Sequence, residues 1–170
     1  MEQIAHSVSR VYNAITIHRP IAEVFDYVTM PASWVHWHPV TIGVTGVTDH
    51  SLHIGEQVIE EIRSVGGKGF MTWTVTERSA PHHWRIDGES NIGINGIISY
   101  RFTEHPDGTH YERELYYWKP HGVLYPLVDR IYKRNQVLEE SAEALRRIKA
   151  NLEGGAVLVA GSMGSHGASV

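Results

Sequence analysis

The 170-residue chain contains no cysteine. That excludes a disulfide framework and a thiolate metal site, and it suits a reducing compartment such as the cytoplasm. Cationic side chains are also few: 15 Lys and Arg stand against 19 Asp and Glu, for a net charge of −4. With no basic surplus to neutralise phosphates, nucleic acid is not expected as a partner. No apolar run approaches the roughly 20 residues of a membrane-spanning helix, so stable membrane insertion is not expected. Residues Met1 to Arg10 are polar and lack the apolar centre of a secretory signal. Gly-x-Ser-x-Gly, phosphate-loop and His-Glu-x-x-His signatures are all missing. Covalent catalysis therefore has no visible nucleophile, while acid–base chemistry stays open. Nothing in the sequence asks for a cofactor, and it leaves monomer and homodimer open.

What is present reads as one ordinary folded unit, with 42% hydrophobic and 20% charged residues. Val11 to Ile17 alternates as a strand does. Pro20 opens a helix whose apolar positions, Ile21, Val24, Phe25 and Val28, follow helical spacing. Thr29-Met30-Pro31 reads as a threonine cap and a restart, giving a short helix with Trp34 and Trp37 that stops at His38-Pro39. Six strands are then expected: Val40–Val47, Glu56–Val65, Gly69–Arg78, His83–Ser90, Asn95–Glu104 and His110–Lys119. Short turn clusters separate them, so neighbours should pair as antiparallel hairpins. Pro106-Asp107-Gly108 is the clearest turn, since proline presets φ and Asp-Gly favours a tight reversal.

A long helix is expected from Leu124 to Leu152, with an apolar stripe of Val128, Ile131, Leu138, Ala142, Leu145, Ile148 and Leu152. Asp129–Lys133 and Glu143–Arg147 form i,i+4 pairs on its wet side, and Gly154-Gly155 should end it. Residues 154–170 are small, Gly/Ser-rich and aperiodic, and read as a disordered tail behind a domain of residues 1–153. The fold class is therefore α+β: a seven-stranded curved antiparallel sheet around a long C-terminal helix, with two short helices after the first strand.

This order resembles the helix-grip fold of the START-like or SRPBCC superfamily, in particular its polyketide cyclase/dehydrase and lipid-transport group. The resembling segments are Ala14 to Phe25, Trp34-Val35-His36-Trp37-His38-Pro39, Trp73 to Glu77 with Pro81, Gly108-Thr109, and Leu145 to Lys149. Together they span Val11 to Leu152. The resemblance implies a ligand cavity between sheet and helix. It implies three possible roles: a carrier of a lipid-like or aromatic molecule, a cofactor-independent cyclase or dehydratase, or an interaction module with no ligand.

Strand parity nominates the residues facing inward. Glu112 and Glu114 share one face of the last strand, which marks it as solvent-facing and turns Arg113 inward. Val58, Glu60 and Ile62 group together, as do Met71, Trp73 and Val75, and Ile98, Tyr100 and Phe102. Expected ligand-lining residues are Trp37 on the short helix, Ile62, Trp73, Ile98, Tyr100 and Tyr117 on the sheet, and Tyr132, Asn135 and Leu138 on the long helix. The competing reading is that the aromatics only fill the core. Arg113 is the candidate for holding a carboxylate, enolate or phenolate, with Glu60 holding it in place or acting as a base. The alternative is a barrel-end ion pair that binds nothing. His38 is a candidate general acid/base, against a plain surface-loop histidine. The 12 histidines suggest metal at His36-x-His38. No third ligand or carboxylate spacing completes a site, and none is expected.

Overall fold

Pro20 redirects the chain out of strand β1 (Ser9–Ile17) into helix α1 (Ile21–Thr29). The structure is a computed structural model. It describes the backbone of residues 8–64, 67–118 and 127–162, and the side chains of these except 64, 127–134 and 155–162. After α1 come a single 3-10 turn (Pro31–Ser33) and helix α2 (Trp34–Trp37). Six strands follow: β2 (Thr41–Gly46), β3 (Gln57–Ser64), β4 (Gly67–Ser79), β5 (His83–Ser90), β6 (Asn95–His105) and β7 (Gly108–Trp118). Helix α3 (Leu127–Ser162) ends the described chain.

The strands make one sheet in the order β1-β7-β6-β5-β4-β3-β2, with every neighbouring pair antiparallel. This is the helix-grip architecture expected from the sequence. Its inner face carries Val58, Trp73, Trp84, Ile86, Tyr100, Phe102 and Tyr111, all buried. Val24, Phe25 and Val28 of α1 and Ala144, Leu145, Ile148 and Leu152 of α3 close over that face. The aromatic rings interlock: Trp84 stacks on Tyr100 at 5.4 Å and Phe102 on Tyr111 at 5.0 Å. Glu112 and Glu114 face outward, where Tyr12 and Arg10 donate to them.

The second half of α3 is tied to the corner between β1 and α1. Lys149 Nζ donates to the Thr16 carbonyl at 2.7 Å, Arg19 Nε to the Leu152 carbonyl at 2.8 Å, and the His18 amide to Glu153 at 2.8 Å. This fixes which face of α3 meets the sheet.

Two local expectations are corrected. The helix does not stop at Gly154-Gly155 but runs to Ser162. Glycine costs a helix about 1 kcal/mol yet keeps its N–H, so unlike proline it does not bar the next turn. Thr29 does not cap the second helix. Its hydroxyl donates back to the Phe25 carbonyl at 2.8 Å, a bond available to a threonine inside the last turn of α1. The short helix does stop at His38 as expected: His36 and Trp37 lie in α2, and the backbone extends at His38. The two imidazoles therefore do not lie side by side. The Asp129–Lys133 pair lies outside the described side chains, whereas Arg147 Nε meets Glu143 at 2.8 Å.

Candidate functional site

Five strands, β3 to β7, and the α2 segment aim side chains at one internal cleft. It is lined by Trp34, Trp37, His38, Glu60, Trp73, Ile86, Ile98, Tyr100 and Arg113. The unfilled space is about 270 Å3 counted out to its mouth, but only about 20 Å3 admits a water-sized body. That is room for a single water. The volume is the one bounded by the described side chains.

Two buried charges are among the lining residues. Glu60 is 3% exposed and its carboxylate is saturated with donors. Trp73 Nε1 donates to Oε2 at 2.7 Å, the Thr41 hydroxyl donates to Oε1, and His38 Nδ1 lies 3.3 Å from Oε1. His38 Nδ1 also sits 2.8 Å from the Thr41 hydroxyl. Burial pushes the Glu60 carboxyl up, but the hydrogen bond and charge of His38, with Thr41 and Trp73, outweigh it and hold the group below the ordinary carboxylate range. Glu60 is therefore an anion at neutral pH that fixes the ring of His38.

Arg113 is 2% exposed. Nη1 donates to the Ser141 hydroxyl at 2.7 Å, and Tyr100 stands at the directly opposed position on β6. Nε is buried and has no partner among the described residues. Burial raises the Tyr100 pKa; Arg113 opposes this and Glu60 adds to it, and the net direction is up. Tyr100 thus stays a protonated donor. One strand further, Tyr111 is fully buried with its hydroxyl unpartnered among the described residues.

The parity argument thus places Arg113, Glu60, Trp73, Ile98 and Tyr100 around a common space, and the α2 segment adds Trp37 and His38. His38 is not a surface-loop residue, since its side chain is 18% exposed and hydrogen-bonded inward. Glu60 does not hold Arg113. Four strand spacings separate β3 from β7, about 19 Å along the sheet, and no ion pair joins the two groups, although both line the cleft. Ile62, Tyr117 and Leu138 are half-buried and lie off the cleft. Asn135 is exposed, a correction with a geometric cause. The buried face of α3 runs through Ser141, Ala144, Leu145, Ile148 and Leu152, and six residues back along a helix turns about 120° away from Ser141. The Tyr132 side chain lies outside the described residues.

Sequence reasoning missed Thr41, Ser141, Asn13 and Gly88. Ser141 is 2% exposed and its hydroxyl donates to Asn13 Oδ1 at 2.5 Å. Gly88 lies under the Trp73 ring, where a Cβ would come within 2.3 Å of it. A glycine inside a strand is a known sign of close approach, and that signal was legible. Among the described residues, no cluster of His, Asp or Glu could hold a metal ion. Among them too, no helix is long and apolar enough to cross a membrane.

An antiparallel sheet gripping a long helix, with a mostly apolar cleft walled among the described residues by the sheet and the α2 segment rather than by α3, defines a helix-grip protein of the START-like class. The chain belongs to the polyketide cyclase/dehydrase and lipid transport family, whose model matches residues 8–153. No curated protein matches it. Among solved structures, it is similar to a START superfamily protein from Mycobacterium smegmatis, at 15% identity and TM-score 0.63, over 85% of this chain and 97% of that one. It is also similar to a Staphylococcus aureus protein of unknown function, at 8% identity and TM-score 0.66, over 91% and 99% of the two chains. A third likeness is to Ara h 8.0201, at 10% identity and TM-score 0.64, over 87% and 99%. At these identities the likeness carries the fold alone.

Proposed function

We propose that the chain binds a small, mostly apolar molecule through one oxygen function, which meets Arg113 and Tyr100 while the apolar body lies against Trp37, Trp73 and Ile98. The function is placed in residues 1–153, acting in the cytoplasm. One observation carries the reading. Arg113 is a buried cation in an aromatic shell, it has no carboxylate partner among the described residues, and one of its nitrogens is unpartnered. Such a charge is costly unless something meets it. The family's description, which includes lipid transport, agrees with an apolar guest. The guest displaces the single water's worth of space and parts the aromatic side chains, so binding requires the cleft to widen.

A second reading, turnover of that guest, is favoured by the His38–Glu60 pair. A carboxylate-oriented imidazole facing a guanidinium and a phenol across one cleft is suited to moving a proton next to a polarised carbonyl. A third reading, protein docking, draws on the closeness of the cleft and on exposed Ile59 and Phe70, diagonal neighbours on the outer face of β3 and β4.

Native mass spectrometry of freshly purified protein decides among these. Wild-type protein is expected to carry a small molecule that Arg113→Met protein does not. Methionine fills the space without the charge, so thermal stability should hold or rise by about 1–4 kcal/mol while the guest is lost. An Arg113→Met variant that retains the same guest at the same occupancy overturns the proposal.

A further inference from the structure

We propose that Asn13 and Ser141 are positioning residues that make the cleft prefer a carboxylate guest over its neutral amide. This rests on the reading that Arg113 meets the guest.

The three residues come from three elements. Asn13 on β1 is directly opposite Arg113 on β7, and Tyr100 on β6 is opposite Arg113 on its other side. Ser141 reaches the row from α3. The Asn13 amide turns its oxygen to Ser141, and the order of the hydrogens follows. A guanidinium has no acceptor, so the Ser141 oxygen accepts from Nη1 at 2.7 Å. The one hydroxyl hydrogen of Ser141 then goes to Asn13 Oδ1 at 2.5 Å. Arg113 is thus held from the helix side through a serine whose orientation is set by an amide on β1.

Both supports are neutral. They satisfy one edge of the guanidinium and leave its charge uncompensated. The only other charge on the cleft wall among the described residues, apart from His38 when protonated, is Glu60. Its oxygens are already engaged by Thr41, Trp73 and His38. Charge and acceptor capacity are therefore both missing at the same place, beside the Arg113 Nε that has no partner. A carboxylate supplies both at once, whereas an amide supplies only an acceptor and brings two donors that find nothing to bond. An aspartate at position 13 would differ from asparagine by one atom and would supply the missing charge from inside the protein.

The test is a titration of the full-length chain with benzoate and with benzamide, followed by 1H–15N NMR. The Arg113 Nε–H signal is identified by its loss in Arg113→Met. Wild-type protein is expected to bind benzoate at least tenfold tighter than benzamide and to shift that signal with benzoate. Asn13→Asp should bring the ratio of the two affinities close to one by weakening benzoate alone. Ser141→Ala, a smaller change in the same chain, should lower the ratio in the same direction and covers the case in which the aspartate variant does not fold. A benzoate/benzamide ratio that stays at the wild-type value in the folded variants overturns the proposal, since a merely structural role changes both affinities together. Equal wild-type affinity for the two ligands also overturns it, and leaves guest binding intact. Wild-type protein that binds neither overturns it as well. Whether the guest-binding reading falls too is then decided by native mass spectrometry, which does not depend on benzoate.

Discussion

Replacing Glu60 with glutamine is expected to lower stability at neutral pH by about 3 kcal/mol, the usual cost of removing one member of a buried charged hydrogen-bond group. Glutamine keeps the shape but offers one acceptor oxygen where Trp73 Nε1, the Thr41 hydroxyl and His38 now share two. Its amide N–H also turns toward a donor. The loss should depend on pH in one direction. The folded-state pKa of Glu60 is depressed, so its contribution is fully present above the unfolded value and disappears as pH falls through the folded one. The stability difference between wild type and Glu60→Gln should thus be largest near pH 7 and shrink on acidification below the ordinary glutamate range. Denaturant unfolding at a series of pH values reads it out. Taking the difference cancels the exposed carboxylates whose pKa values are also lowered, such as Glu77 and Glu143. A difference that stays constant from neutral to acid pH would mean that Glu60 is not held as an anion.

Gly88→Ala is expected to cost about 3 kcal/mol through overpacking, which for a chain of this size lowers the melting temperature by roughly 6–12 °C. The added methyl would stand 2.3 Å from Trp73 Cζ3 and 2.8 Å from Met71 Cε. Met71 can swing aside, because its thioether chain is flexible. Trp73 cannot move without giving up its bond to Glu60. The substitution therefore loosens the cleft as well as the core, and Trp73 fluorescence should change along with the melting temperature. Gly96, directly across from Gly88 on β6, continues the flat floor, with its Cβ position 3.7 Å from the Trp73 ring. Two paired glycines thus decide where the indole lies and, through it, where the Glu60 carboxylate points. A Gly88→Ala protein that melts with the wild type would show that the ring does not rest there.

The inward-facing half of the site was legible because a strand has a period of two. Glu112 and Glu114 fix the outer face of β7, and Arg113 between them has nowhere to go but in. The same alternation brought Trp73, Ile98 and Tyr100 inside. The helix side was less legible. A stripe drawn through Ile131 and Leu138 put Asn135 inward, but the packed face is phased by residues 141–152, where Lys149, Leu152 and Glu153 bond the β1–α1 corner. Over one and a half turns a small error of phase becomes a change of face.

Composition, alternation and turn chemistry by themselves determined the class of fold, the number of strands and the hairpin pairing of β2 to β7, while the pairing of β1 with β7 came from the tertiary structure. The former depend on neighbours in sequence, on local periods and on short hairpin loops. The partners of the two buried charges were decided only by the tertiary structure. Glu60 meets His38, Thr41 and Trp73, and Arg113 meets Ser141, across separations in sequence as long as 28 residues for Arg113 and Ser141. No local period encodes such a meeting. It follows from the curvature of the sheet and the docking of α3, which set the distance between groups the sequence can only place on a face.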